Sequence, residues 1–150
     1  MKRLAVINVV GLTKSHLGEH TPNITALANA SSVTTLVPPL PAVTCTVQSS
    51  ILTSLSPSEH GIVANGWHER EINETSFWRQ SNKLVHGEKI WDALRKQNSS
   101  FTVANMFWWF NMYSTADIAV TPRPIYCANG RKIPDIWTTP SCLRQTLQDK

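Results

Sequence analysis

An α/β fold, with a mainly parallel sheet flanked by helices, is predicted by three observations. Leu4 to Val10 is a near-continuous apolar run ending at Gly11, the pattern of a parallel strand buried on both faces. Strand-like and helix-like runs then alternate along the chain. A proline-rich turn, Pro38-Pro39-Leu40-Pro41, separates a β-branched run from a helical one that begins near Thr44. In open α/β sheets ligands bind beyond the strand C-termini. The sequence therefore points to the Thr44 loop as the candidate site.

The elements follow in order. Thr21-Pro22-Asn23 opens a helix, with Thr21 as cap and Pro22 in its first turn. Ile24, Leu27 and Ala28 share one face of it. Ser32 to Val37 reads as a second strand, stopped by the prolines. From Val47 to Leu55 the residues Val47, Ile51, Leu52 and Leu55 suit a short helix with one buried face. Ser56-Pro57-Ser58-Glu59 is a turn able to start a further helical turn, and Ile62 to Ala64 reads as a brief strand. Trp67 to Gln80, polar with interspersed aromatics, fits a β-hairpin or an excursion over the site. Glu88 to Lys96 is an amphipathic helix with Ile90, Trp91 and Leu94 inward, and Lys89, Asp92, Arg95 and Lys96 outward. Phe101 to Met106 is a third sheet strand. Pro140 to Gln148 is a last helix.

Composition narrows the class. With 150 residues, 41% hydrophobic and 16% charged, the chain suits a globular domain with a real core and not a disordered segment. The net charge of +4 comes from scattered basic residues, so no nucleic-acid groove is indicated. No run has the length and hydropathy of a transmembrane helix. The start, MKRLAVINVVGL, lacks a signal peptide's cleavage pattern and reads as a strand. Three cysteines, Cys45, Cys127 and Cys142, form neither a paired disulfide set nor a C-x-x-C, which points to a cytoplasmic location.

On local pattern alone, Thr44 has two readings. Thr is a favoured helix N-cap residue. A hydroxyl at a helix N-terminus also lies where free N–H groups and the dipole favour an anion, a suitable place to attack phosphorus.

The wider segment from Pro41 to Asn65, PAVTCTVQSSILTSLSPSEHGIVAN, resembles the alkaline phosphatase superfamily, and within it the type I phosphodiesterase and nucleotide pyrophosphatase group. VINVVGL, TPN, NGW, FWRQSN, KIWDA, FWWFNMYS, TPRPIY and GRKIPDI extend the likeness over most of the chain, towards one bacterial subgroup. The resemblance implies an alkaline phosphatase-like fold, of which residues 1–150 would be the N-terminal part of the catalytic domain. It implies a metal-dependent phosphoesterase acting on a small phosphorylated substrate such as a nucleotide, at a phosphodiester or pyrophosphate bond. Thr44 is then the nucleophile and a metal ligand, and Asn65 donates a hydrogen bond to a phosphoryl oxygen. The metal is zinc, in a pair held mostly by Asp and His residues outside these 150. The isolated chain is expected to be inactive for that reason.

Two positions depart from the family pattern. The metal-binding Asp that normally ends the first strand, directly before Gly, is Val10 here, with Asn8 two positions earlier. A neutral amide is a poorer zinc ligand than carboxylate or imidazole. The residue three after Thr44, often Asn in the family, is Val47. A non-catalytic scaffold of the same fold is the alternative reading that Val10 favours. A related hydrolase acting on phosphonates is another. The sulfatase run Cys-x-Pro-x-Arg is absent from the sequence.

Other residues carry weaker signals. His16 and His20 are a helical turn apart, yet Gly18 and Thr21-Pro22 argue for loop residues. His60, in Pro-x-x-His-Gly, is expected to brace the Thr44 loop by hydrogen bonding. His68 is expected at the surface. Phe107 to Tyr113, FWWFNMY, is expected in the core, with stacking on a flat group as the other option. Arg123, between two prolines, suits either a phosphate contact or an internal brace. Gly130-Arg131-Lys132 reads as a solvated turn.

Overall fold

A computed structural model describes residues 3–149. The chain divides into two compact units, Met1–Val37 and Pro38–Lys150.

The first unit is built around one helix, α1 (Pro22–Asn29), preceded by a single 3-10 turn at Lys14–His16. Pro22 opens α1 as predicted. Thr21 stands at the N-cap but makes no cap bond; its hydroxyl donates instead to the His16 carbonyl at 2.5 Å. The two predicted strands of this unit are not formed. Residues 3–9 and 33–39 carry no regular structure, and Leu4, Ile7, Val10, Leu36 and Val37 are exposed. An apolar run states a demand for burial, but a strand exists only where a neighbour completes its backbone hydrogen bonds. Neither run finds such a neighbour among the described residues.

The second unit holds every strand. It runs α2 (Thr44–Thr53), α3 (Pro57–His60), β1 (Gly66–Glu69), β2 (Glu74–Phe77), α4 (Ile90–Gln97), β3 (Ala104–Met106), β4 (Ile118–Pro122), β5 (Ile125–Tyr126), β6 (Lys132–Ile133), β7 (Ile136–Thr139) and α5 (Leu143–Gln148). The expected hairpin over Trp67–Gln80 is the antiparallel pair β1–β2, in register Trp67 with Ser76. The main sheet has the order β3-β4-β7. Its β3–β4 pair is parallel and its β4–β7 pair antiparallel, and β5–β6 is a separate antiparallel hairpin. The fold is therefore mixed α/β, with parallel pairing confined to β3–β4 among the described strands. The parallel character expected of the sheet is thus shown only by that pair. The return strands β4 to β7 are short and joined by turns such as Ala128–Gly130, and short connections dictate antiparallel neighbours. Ile62 to Ala64, expected as a strand, also carries no strand pairing.

The core joins Cys45, Ile62, Val85 and Phe110, with Trp67, Leu84 and Trp109 packed against them. Trp91 anchors α4 beneath the surface, its indole N–H donating to the Thr115 hydroxyl at 2.8 Å. Two assignments on α4 are corrected. Ile90 is exposed and Lys89 is buried. The Lys89 ammonium donates to the carbonyls of Val85 at 2.8 Å and Gly87 at 2.7 Å, so a long stem reaches inward and caps otherwise unpaired backbone. Burial holds its pKa below the ordinary lysine value.

Candidate active site at the N-terminus of α2

Thr44 is the first residue of α2, and the N-cap is Val43, in extended conformation. Valine has no side-chain acceptor, so the first turn needs an outside partner. Asn65 supplies it. The Cys45 N–H donates to Asn65 Oδ1 at 3.0 Å. Thr44 is thus not the cap that its residue type suggested; a side chain from beyond α3 takes that part. The Thr44 hydroxyl is half-buried and makes no hydrogen bond among the described residues. The Asn65 amide nitrogen is likewise unengaged there. The Cys45 N–H bond brings the Asn65 carboxamide to the first turn of α2, which Thr44 opens and where the helix N-terminus favours negative charge.

Four hydrogen bonds fix this corner. His60 is fully buried. The Ile62 N–H donates to His60 Nδ1 at 3.0 Å, which leaves the ring proton on Nε2, 2.9 Å from Ser50 Oγ. The brace expected of His60 exists, but it grips the middle of α2 and not the loop before Thr44. The Gly61 turn beside it adopts a left-handed conformation, φ 82°, which glycine alone takes freely. Gln48, one turn after Thr44, accepts the Trp109 N–H at 2.8 Å. The Trp78 N–H donates to the Asn65 carbonyl at 2.9 Å.

The buried side of α2 is more polar than its apolar spacing suggested. It carries Cys45, Thr46, Gln48, Ser49 and Leu52, while Val47 and Ile51 are only half-buried. Burial pushes the Cys45 thiol up to about 12, so it packs as a small apolar group and not as a nucleophile.

Among the other sequence candidates, Phe110 and Met112 are in the core and Trp109 lies against it, but Phe107 and Tyr113 are exposed. Trp78, Phe107, Phe110 and Tyr113 all have positive φ between 53° and 63°. Such backbone costs about 1–3 kcal/mol per residue and persists only where the surroundings impose it. Arg123 donates through its backbone to Asp135 O at 2.8 Å and through Nη1 to the Met112 sulfur at 3.2 Å. No carboxylate pairs with it among the described residues. His68 is exposed in β1. His16 closes its 3-10 turn on Thr13, and His20 meets Glu19 at the surface. Gly130 lies in the exposed turn between β5 and β6.

The family model for type I phosphodiesterase / nucleotide pyrophosphatase matches residues 4–146. The chain belongs to that family, whose members are hydrolases of small phosphorylated substrates. A search of curated proteins finds no match.

The family is generally metal-dependent. No three His, Cys, Asp or Glu residues converge on a possible ion among the described residues. Val10, where the family pattern has Asp, is exposed and offers no ligand atom. Of the residues expected at the centre, Thr44 alone presents a free oxygen. These residues do not by themselves fit a metal pair. No helix of the described chain is long and apolar enough to cross a membrane.

Proposed function

We propose that this chain is the N-terminal part of a phosphoesterase catalytic domain that cleaves phosphodiester or pyrophosphate bonds through Thr44. The observation that carries the reading is the Cys45 N–H to Asn65 Oδ1 bond, which fastens the Asn65 side chain to the residue after Thr44. With its oxygen so engaged, the Asn65 carboxamide has only N–H to offer a phosphoryl oxygen. Thr44 Oγ1 forms the new bond to phosphorus, and the ester oxygen opposite departs as an alcohol or phosphate. The Asn65 amide and the N-terminus of α2 steady the negative charge on the non-bridging oxygens. Water then breaks the phosphothreonine bond and returns the free hydroxyl. Zinc in a pair belongs to the same proposal, with Thr44 as one ligand and most of the others from outside these residues. So does a cytoplasmic location, which rests on three free cysteines.

Turnover of a phosphodiester by the full-length gene product tests this. Thr44→Ser keeps a hydroxyl in place, primary instead of secondary, and is expected to retain partial activity. Thr44→Ala is expected to lose on the order of a thousandfold or more in kcat. Equal turnover by Thr44→Ala would overturn the nucleophile. No turnover by the wild-type protein would leave the second reading, a non-catalytic scaffold of the same fold, which Val10 favours.

A further inference from the structure

Arg123 has no part in the chemistry given to Thr44 and Asn65, yet it stands where an α/β sheet presents residues to a ligand. Strands β3 and β4 are parallel, with Met106 opposite Val120, so both end on the same side of the sheet. Ligands bind beyond the carboxyl ends of such strands. The segment leaving β3 carries Trp109, whose N–H is bonded to Gln48 one turn along α2 from Thr44. Arg123 is the first residue beyond β4. The segment that holds Asn65 through Trp78 also reaches this end. Gln80 Nε2 lies 3.5 Å from the Pro122 carbonyl, and the Met112 N–H donates to the Gln80 carbonyl at 3.1 Å.

Arg123 is fixed in place but not neutralised. Prolines on both sides restrict its backbone, and its N–H donates to the Asp135 carbonyl at 2.8 Å. Nη1 donates to the Met112 sulfur at 3.2 Å, a weak acceptor that orients the guanidinium without answering its charge. The Asp135 carboxylate is held by Arg144 Nε at 3.1 Å, Arg144 Nη2 at 2.7 Å and Gln148 Nε2 at 2.8 Å. Arg79 and Arg95, by contrast, are paired with acids. The exposed Arg123 fork thus keeps donors for an incoming anion, and its planar geometry matches carboxylate or phosphate.

We propose that Arg123 binds a second anionic group of the substrate, apart from the phosphoryl group that Thr44 attacks. The inference rests on the phosphoesterase reading above and narrows its substrate to a molecule with two separated anions. The second is a further phosphate or a carboxylate.

The test uses the full-length gene product, with methyl p-nitrophenyl phosphate as substrate. The inhibitors are α,ω-alkylene diphosphonates of increasing length and, for comparison, methylphosphonate. The ratio of the two inhibition constants within one protein reads the second anion alone. At one length the wild-type protein should bind the diphosphonate more tightly than methylphosphonate. Arg123→Gln should cut that advantage about 5- to 30-fold. Arg123→Lys supplies a point charge without the fork and should keep part of it. A phosphonocarboxylate of the same length separates the two sources: tighter binding than the diphosphonate marks a carboxylate, weaker binding a phosphate. No advantage at any length, or one as large in Arg123→Gln as in the wild type, would overturn the role of Arg123 while the phosphoesterase reading stands. A wild-type protein that does not cleave methyl p-nitrophenyl phosphate would overturn both.

Discussion

His60 shows how much one side chain contributes to this corner. It has no free surface, and both ring nitrogens are engaged, joining α2 at Ser50 to the segment at Ile62 that leads into Asn65. Burial is the first cause of its depressed pKa, so the folded protein holds it neutral below the ordinary 6.5. Above that pH the ring is neutral in folded and unfolded chains alike, and its contribution to stability is full. As pH falls below 6.5, the unfolded chain takes up a proton that the folded one refuses, and stability declines until the folded pKa is passed. His60→Ala should cost roughly 2–4 kcal/mol, from lost packing and two orphaned polar groups, and should flatten this acid limb. Urea unfolding of both proteins between neutral and mildly acid pH would measure it; an unchanged slope in the variant would assign the limb to other groups. The Pro-x-x-His-Gly run made a brace legible in the sequence. Its partner was not, because Ser50 is one hydroxyl among several on α2 and only the fold selects it. For the same reason the local pattern left Thr44 with two readings, and only the fold puts Asn65 in the capping place.

At the scale of elements, helices were more legible than strands. Pro22, Pro57 with the Ser56–Glu59 capping box, and the pattern around Trp91 locate α1, α3 and α4 within a residue or two. These signals are local, and a helix closes its hydrogen bonds within itself. The predicted strands at Leu4–Val10 and Ser32–Val37 failed because a strand depends on a partner that the local sequence does not name. The return strands β4 to β7 were missed, since runs of two to five residues between prolines carry too little alternation to register. The β1–β2 hairpin was legible from the aromatics within Trp67–Gln80, and β1 begins one residue earlier, at Gly66. Gly66 is required there by close approach. A Cβ on it would meet Ser76 O at 2.7 Å and collide with the Phe77 ring. Gly66→Ala should therefore spread the open end of the hairpin, cost about 1–3 kcal/mol and disturb the Asn65 carboxamide beside it. Urea unfolding midpoints and phosphodiester turnover read the two effects separately. An unchanged midpoint would mean that the strands yield freely and that Asn65 does not depend on them.

For the whole molecule, the family was legible from motifs spread over most of the chain, and the match over residues 4–146 agrees with it. The arrangement of the site was legible in part. The sequence named Thr44 and Asn65, and the fold links them through the Cys45 backbone. It did not name Gln48 or Trp78, which reach the site through backbone and amide bonds that leave no periodic trace. Nor does composition explain why the hidden side of α2 is polar: Gln48 is matched to the Trp109 backbone, while Thr46 and Ser49 hydroxyls find no partner among the described residues. The proposed function requires a covalent phosphodiester that joins Thr44 to the arm of the substrate retained on phosphorus. Its most direct test is acid quenching of the full-length gene product during turnover, followed by peptide mass mapping. The mass of the phosphoryl group with its retained arm is expected on the peptide containing Thr44 in the wild-type protein and is expected to be absent from Thr44→Ala. The same adduct on another residue, or steady turnover with Thr44 never modified, would contradict that function.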